Sequence, residues 1–327
     1  MLAFPSDIGW FQDAEAIAAS QLTIAPWVVR SPIVPALANS DRILLKLETH
    51  QLGGSFKVRG AALVLATLTP DENANGVWTA SSGNMATAVG LVGERLDVRS
   101  TSVTPENMSE HRLRALDDLG VHVIRVEPSR WIEVNETGVF PGLNGPYLHP
   151  AYDDRILIAN ATIGAEIVED VPDVDTIITP WGSGGLTCGT AAGAKLMSPR
   201  VRVIAAEVEG RSPLSAARAA GGPVTLPGPK PVFPESTGAR TVLPYMWECA
   251  QVVVDEVRTV TAASVRRAMS FLASEVGVVS EGSGATSLAV ALASRGELGK
   301  VVCVVSGANV DASIGPPPSG LRGRARR

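Results

Sequence analysis

Lys57 stands between Phe56 and Val58, directly after Gly53, Gly54 and Ser55. Two glycines and a serine allow a bend whose backbone can come close to a ligand. Residues 56–67 follow as a helix, rich in alanine and leucine and broken only by Gly60. Lys57 therefore falls at a helix N-terminus. The positive end of the helix dipole disfavours an ammonium there, as does partial burial beside Phe56. Both effects lower the pKa and favour the neutral amine, the form that condenses with an aldehyde. Taken alone, the stretch also fits a surface lysine on a first helical turn.

Other stretches offer complementary groups. Ser81, Ser82, Gly83, Asn84 and Met85 follow an apolar run at 77–80 and precede a helix over 86–96. Two hydroxyls, a carboxamide and free backbone N–H groups at a helix start suit a carboxylate. Gly182, Ser183, Gly184, Gly185 and Leu186 lie between a strand at 176–180 and a small-residue helix over 187–196. Glycines at a helix N-terminus can cradle a phosphate. Near the end, a buried strand over 301–305 stops at Ser306, Gly307, Ala308 and Asn309.

In this order the motifs resemble the pyridoxal-phosphate enzymes of fold type II, the tryptophan-synthase-β-like fold. The likeness is to the threonine/serine dehydratase and serine racemase branch. It is carried by Lys46-Leu47-Glu48, by Gly54-Ser55-Phe56-Lys57-Val58-Arg59-Gly60-Ala61, by Ser81 to Asn84 and by residues 153–167. It continues through Gly182 to Leu186, Glu281-Gly282-Ser283-Gly284-Ala285 and Ser306-Gly307-Ala308-Asn309-Val310-Asp311. It runs from about Thr23 to Asp311.

The resemblance implies pyridoxal 5'-phosphate as cofactor and an amino acid as substrate. Lys57 would carry the cofactor and later take the α-proton, with Phe56 beside it. Ser55, Gly182, Ser183, Gly184, Gly185 and Leu186 would hold the phosphate, joined by Thr187. Asn84 would bond the phenolic oxygen, Glu281 would lie near the ring, and Ser306 would bond the ring nitrogen. Ser81, Ser82, Asn84 and Met85 would bind the substrate carboxylate, the last two through the backbone around them. A serine at the ring nitrogen leaves it neutral, which suits a substrate whose β-hydroxyl leaves promptly. The main expectation is a dehydratase that turns a threonine- or serine-like amino acid into a 2-oxo acid and ammonia.

Departures from the pattern keep other readings open. Ser82 falls where racemases place a proton-donating hydroxyl and many dehydratases have alanine, so the alternative is a serine-type racemase. Met85 replaces a common histidine, and Gly282 a common proline. A β-replacement enzyme and a non-catalytic cofactor-binding protein rank lower. In racemases with a divalent-cation site, an acid matching Glu207 works with a second acid whose place here is near Pro213, so no metal is expected. The chain stops soon after Asp311 without an effector-binding domain, which speaks against a feedback-regulated threonine deaminase.

The elements that must position these groups alternate as in an α/β protein. Two domains are expected, each a mostly parallel sheet flanked by helices. The large one takes residues 1–75 and 147–315, the small mobile one 76–146, and 316–327 form a disordered tail. Strands are expected at 42–48, 77–80, 99–103, 121–126, 201–206 and 251–257. Helices are expected at 11–20, 109–119, 158–167, 261–275 and 286–294. Asp154 is the expected N-cap of the third of these helices, while Ala263, Val265 and Ala268 face inward on the fourth. Residues 22–35 should be extended, and 221–244 should form a long loop with a small-residue turn at 236–239. In 130–145 a shortened helix with a compensating loop is expected, Trp131 and Phe140 covering the core or forming part of a lid. The face of Glu110, His111, Arg112 and Arg114 reads as solvated, and His111, His122 and His149 as structural.

Composition bounds the rest. The 327 residues are 45% hydrophobic and 19% charged, as in a soluble globular protein. A net charge of −5 speaks against nucleic acid as a partner. No apolar run reaches membrane-spanning length, and the acidic N-terminal stretch is no signal peptide. Cys188, Cys249 and Cys303 lie far apart, without metal-ligand spacing, which points to a reducing cytoplasm. A homodimer is implied by the resemblance alone.

Overall fold

The computed structural model describes Gly9 and residues 13–38, 40–227, 233–234, 239–294 and 296–310. Its strands are β1 (Ile33–Leu37), β2 (Ser40–Leu47), β3 (Val77–Thr79), β4 (Ser100–Pro105), β5 (His122–Val126), β6 (Thr176–Pro180), β7 (Arg202–Val208), β8 (Glu256–Val260) and β9 (Val301–Val305). They form a six-stranded sheet in the order β1-β2-β9-β6-β7-β8 and a three-stranded sheet in the order β3-β4-β5. All pairings are parallel except β1 with β2. The central strands are continuous apolar or β-branched runs: every residue of β6 and β9 is buried. Such runs form strands covered on both faces by helices.

One apolar cluster gathers residues of helices Asp154–Asp170, Gly185–Met197 and Pro244–Val253 against the six-stranded sheet. A second gathers residues of helices Ala262–Phe271 and Gly282–Ala293 against it. The three-stranded sheet draws only on residues 77–126. It is packed by helices Asn84–Leu96, Glu110–Asp117 and Pro128–Thr137.

Register brings distant motifs to one edge. Leu47, the last residue of β2, pairs with Val305, the last of β9, and β9 runs parallel beside β6. The carboxyl ends of three adjacent strands therefore open together, where α/β sheets bind ligands. The lysine turn follows the first, the Ser306 segment the second and the glycine turn the third. Helices Asp154–Asp170 and Gly185–Met197 pack almost backbone to backbone. A Cβ on Gly164 would lie 1.9 Å from the Thr190 carbonyl oxygen, and one on Gly193 1.9 Å from that of Ala161. This contact fixes where the second helix begins.

Several sequence expectations are corrected. Residues 244–253 form a helix, so no strand starts at 251; β8 begins only at Glu256. Pro244 sits at the first helical turn, and Tyr245, Met246, Cys249, Ala250 and Val253 are buried at helical spacing. Asp153, not Asp154, caps helix Asp154–Asp170 by accepting from the Arg155 N–H at 2.9 Å. Ala263 is exposed, whereas Val265 and Ala268 are buried. The first helix runs to Ile24, so the extended segment starts later and ends in β1. Helix Pro128–Thr137 is the shortened one expected, and Trp131 and Phe140 pack on Trp78, Val103 and Val134 as core cover. Phe11, residues 236–238 and the tail lie outside the described residues.

Candidate active site

Gly53 and Gly54 both take left-handed conformations, φ +73 and +70, which a Cβ would strain. The double turn lets the chain reverse and run against the segment after β9. The Gly54 carbonyl accepts from the Ala308 N–H at 2.8 Å, and the Phe56 N–H donates to the Ser306 carbonyl at 3.1 Å. Ser55 and Gly307 form an antiparallel bridge. The lysine turn and the Ser306 segment are thus one unit.

Lys57 is the first residue of helix Lys57–Ala66, and its Nζ lies 4.7 Å from the centre of the Phe56 ring. Burial pushes its pKa down to about 8, against the opposing pull of Glu281. The sequence pointed to both the helix dipole and burial; burial is the dominant cause. Glu281 sits opposite, at the N-cap of helix Gly282–Ala293. Its Oε1 accepts from Asn84 Nδ2 at 2.9 Å and from Ser283 Oγ at 2.7 Å. Burial raises its pKa, and these two hydrogen bonds work the other way. Lys57, Asn84, Glu281 and Ser306 therefore converge from four separate parts of the chain.

Ser81 and Ser82 lie half-buried in the turn between β3 and helix Asn84–Leu96. That helix has no side-chain cap, which leaves its first N–H groups for a ligand. The Ser81 carbonyl accepts from Ser102 Oγ at 2.5 Å and the Ala80 carbonyl from Asn135 Nδ2 at 2.9 Å, so the turn is held from behind. Met85 is only 2% exposed and packs with Val58, Val89 and Leu148. Its side chain faces the core, and only its backbone can reach a carboxylate.

Gly182, Ser183, Gly184, Gly185 and Leu186 form the turn into helix Gly185–Met197, which also lacks a side-chain cap. A Cβ on Gly184, at φ +97, would meet the Trp181 ring at 2.8 Å, and one on Gly185 the Pro150 carbonyl oxygen at 1.9 Å. Only bare backbone fits, and its N–H groups at a helix start suit a phosphate. Phe56, Trp181 and Leu186 belong to one apolar cluster. Thr187 is excluded from the phosphate role. Its hydroxyl is buried, donates to the Pro180 carbonyl at 3.2 Å and accepts from Thr179 at 2.9 Å.

His149 lies between these parts. Thr79 Oγ1 donates to the Leu148 carbonyl at 2.8 Å on one side, and Pro150 touches Gly185 on the other. The ring is tilted against Tyr147 and Tyr152, centroids 5.8 and 4.2 Å away. Its Nδ1 accepts from the Ala151 N–H at 3.2 Å, which puts the proton of the neutral ring on Nε2. Burial, then the Lys57 charge, push its pKa down to about 3. It is a neutral packing residue beside the site, not a base in waiting.

A buried ion cluster lies behind the lysine helix. Arg59 donates to both oxygens of Glu48 at 2.8 and 2.9 Å and to both of Glu166 at 2.7 and 3.0 Å. Lys46 Nζ donates to Glu166 at 2.6 Å and to the Ser31 carbonyl at 2.8 Å. Burial alone would raise Glu48, but Arg59 more than reverses this and holds it below the usual carboxylate range. The sequence signal was present: Lys46 interrupts an apolar strand and Glu166 an apolar helix, and buried charges come paired.

Both oxygens of Glu207 are engaged. Its Oε1 accepts from the Leu214 N–H at 2.8 Å, and its Oε2 from the Ser215 N–H and Oγ at 2.9 and 2.7 Å. It caps helix Pro213–Ala220, which begins at the residue standing where a second acid was sought. Backbone donors aimed at both oxygens do not fit a divalent cation. Among the described residues no cluster of three or more His, Cys, Asp or Glu side chains could hold one.

Residues 24–307 match the family described as pyridoxal-phosphate dependent enzyme. A serine racemase of Oryza sativa subsp. indica is 31% identical over 321 residues, covering 94% of this chain and 93% of the relative. An L-threonine ammonia-lyase of Thermotoga maritima is 31% identical over 307 residues, covering 92% and 76%. The solved structure of maize serine racemase superposes with a TM-score of 0.81 at 30% identity, covering 92% of this chain and 95% of that one.

Proposed function

Because the chain belongs to the family of pyridoxal-phosphate dependent enzymes, we propose that it is an ammonia-lyase acting on a β-hydroxy amino acid of threonine or serine type. The observation that carries this is the convergence of a lysine with a depressed pKa on Asn84, Glu281 and Ser306, between two uncapped helix starts. When bound, pyridoxal phosphate supplies an electron-withdrawing ring to the α-carbon of the substrate.

The residues then divide the work. Lys57 would hold the cofactor through its neutral amine and, when free, is the base placed to take the α-proton. Ser55 and the turn Gly182 to Leu186 would hold the phosphate. Asn84 would donate to the phenolic oxygen and Ser306 would meet the ring nitrogen, where a hydroxyl in place of a carboxylate would leave that nitrogen uncharged. Ser81, Ser82 and the first N–H groups of helix Asn84–Leu96 hold the substrate carboxylate. The substrate loses its α-proton and β-hydroxyl as water, and hydrolysis of the released enamine gives a 2-oxo acid and ammonia.

One observation favours a second reading, an amino-acid racemase. Among the described residues the Ser82 hydroxyl makes no hydrogen bond, which leaves it available to exchange a proton with the α-carbon. The enzyme with L-serine, L-threonine or threo-3-hydroxyaspartate in deuterated water, followed by proton NMR, separates the two. Oxo acid with little α-deuteration supports the lyase. The opposite enantiomer with α-deuterium, abolished in Ser82→Ala, supports the racemase.

Further parts of the proposal concern organisation. Residues 76–146 act as a small domain that moves against the rest, a division supported by a sheet confined to 77–126. A homodimer and a cytoplasmic location complete it. The three cysteines are unpaired and buried, which supports a reducing compartment. No helix among the described residues is long and apolar enough to cross a membrane.

A further inference from the structure

We propose that Asn309 is the positioning residue that sets which end of the Asn84 carboxamide faces the cofactor. The inference rests on the assignment of Asn84 to the phenolic oxygen, made above. An amide side chain can present either its NH2 or its carbonyl to a ligand, and only the former can donate to a phenolate oxygen. Something must choose between them.

The choice follows from a backbone carbonyl. Asn309 Nδ2 lies 2.8 Å from the Gly53 carbonyl oxygen, which can only accept. The Asn309 atom there is therefore the nitrogen. The same nitrogen lies 2.7 Å from Asn84, so the Asn84 atom facing it is the oxygen. That turns Asn84 Nδ2 the other way, toward Glu281 Oε1 at 2.9 Å and into the site. One amide group of Asn309 spends both its N–H bonds in fixing this polarity.

The turn that supplies the carbonyl is built for the purpose. Gly53 and Gly54 must both be left-handed to aim it, and a Cβ on Gly54 would crowd Asn309 Oδ1 at 3.0 Å. The lysine turn and Asn84 are thereby tied through one side chain. Asn309 itself is exposed, so replacing it leaves the core packing in place.

The test measures pyridoxal phosphate binding by the apo-protein and the absorption spectrum of the bound cofactor, with thermal unfolding as a control for folding. Asn309→Asp removes the donor and turns the Asn84 carbonyl toward the cofactor; binding should weaken roughly tenfold, the loss of one hydrogen bond to a charged group. Asn309→Ala leaves the Asn84 amide held by Glu281 alone and should weaken binding severalfold, with the pH midpoint of the spectrum shifted in both variants. If Asn309→Ala matches the parent while Asn84→Ala loses binding, the inference is overturned and the role of Asn84 stands. If Asn84→Ala also matches the parent, the assignment of Asn84 fails and the inference with it.

Discussion

Arg59 and Glu166 are joined by two hydrogen bonds, 2.7 and 3.0 Å, between side chains that are 0% and 7% exposed. The pair belongs to a cluster of two cations and two carboxylates, completed by Lys46 and Glu48. Arg59 lies two residues beyond Lys57 on the same helix. The cluster ties that helix to β2 and to helix Asp154–Asp170, and so fixes the direction from which the lysine enters the site.

Glu166→Gln should therefore destabilise the protein strongly. It removes the carboxylate hydrogen-bonded to Lys46 and one of the two held by Arg59. Breaking a buried ion pair from one side costs about 3–5 kcal/mol. Denaturant unfolding of the parent and the variant measures this directly. A change below about 1 kcal/mol would mean that water reaches the cluster.

Capture of the cofactor by Lys57 should follow pH through the depressed pKa. Below about 8 the amine is mostly protonated and cannot attack an aldehyde. The second-order rate of capture should fall on the order of tenfold per pH unit below that point and level off above it. An ordinary exposed lysine would keep the rate rising to about pH 10. Stopped-flow mixing of apo-protein with pyridoxal phosphate across pH 6–10, roughly the span between those limits, distinguishes the two.

Glu207 should matter for stability and not for a metal. Glu207→Gln puts an NH2 against the backbone donors of helix Pro213–Ala220, at a cost of about 1–3 kcal/mol. Chelation of divalent cations should leave cofactor binding and turnover by the parent protein unchanged. Loss of activity on chelation, restored by magnesium or calcium, would contradict the capping role.

Much of this site was legible from residue types because its parts are local. A glycine turn before a helix, or a serine-rich turn after a strand, announces itself within a few residues. The lysine turn, the Ser81 to Asn84 turn and the Gly182 to Leu186 turn all sit where their local sequences placed them. What long-range contacts decide was not legible. The Thr187 hydroxyl looks available in sequence, but Thr179 on the neighbouring strand and the Pro180 carbonyl occupy it. Met85 sits in a polar turn by sequence, yet the first turn of its helix points it into the core. Asn309 stood in a recognised motif without a task, because its partners Gly53 and Asn84 lie more than two hundred residues away. The valine run at 252–254 looked like a strand because β-branched residues favour strands. Pro244 and the buried spacing from Tyr245 to Val253 outweighed it.

The central claim is that Lys57 carries the cofactor, and one measurement tests it most directly. Holo-protein reduced with borohydride, digested and examined by mass spectrometry should carry the pyridoxyl phosphate mass on the peptide containing Lys57, and Lys57→Ala should carry none. The mass on a peptide with another lysine, or its persistence in Lys57→Ala, would contradict the assignment of the site.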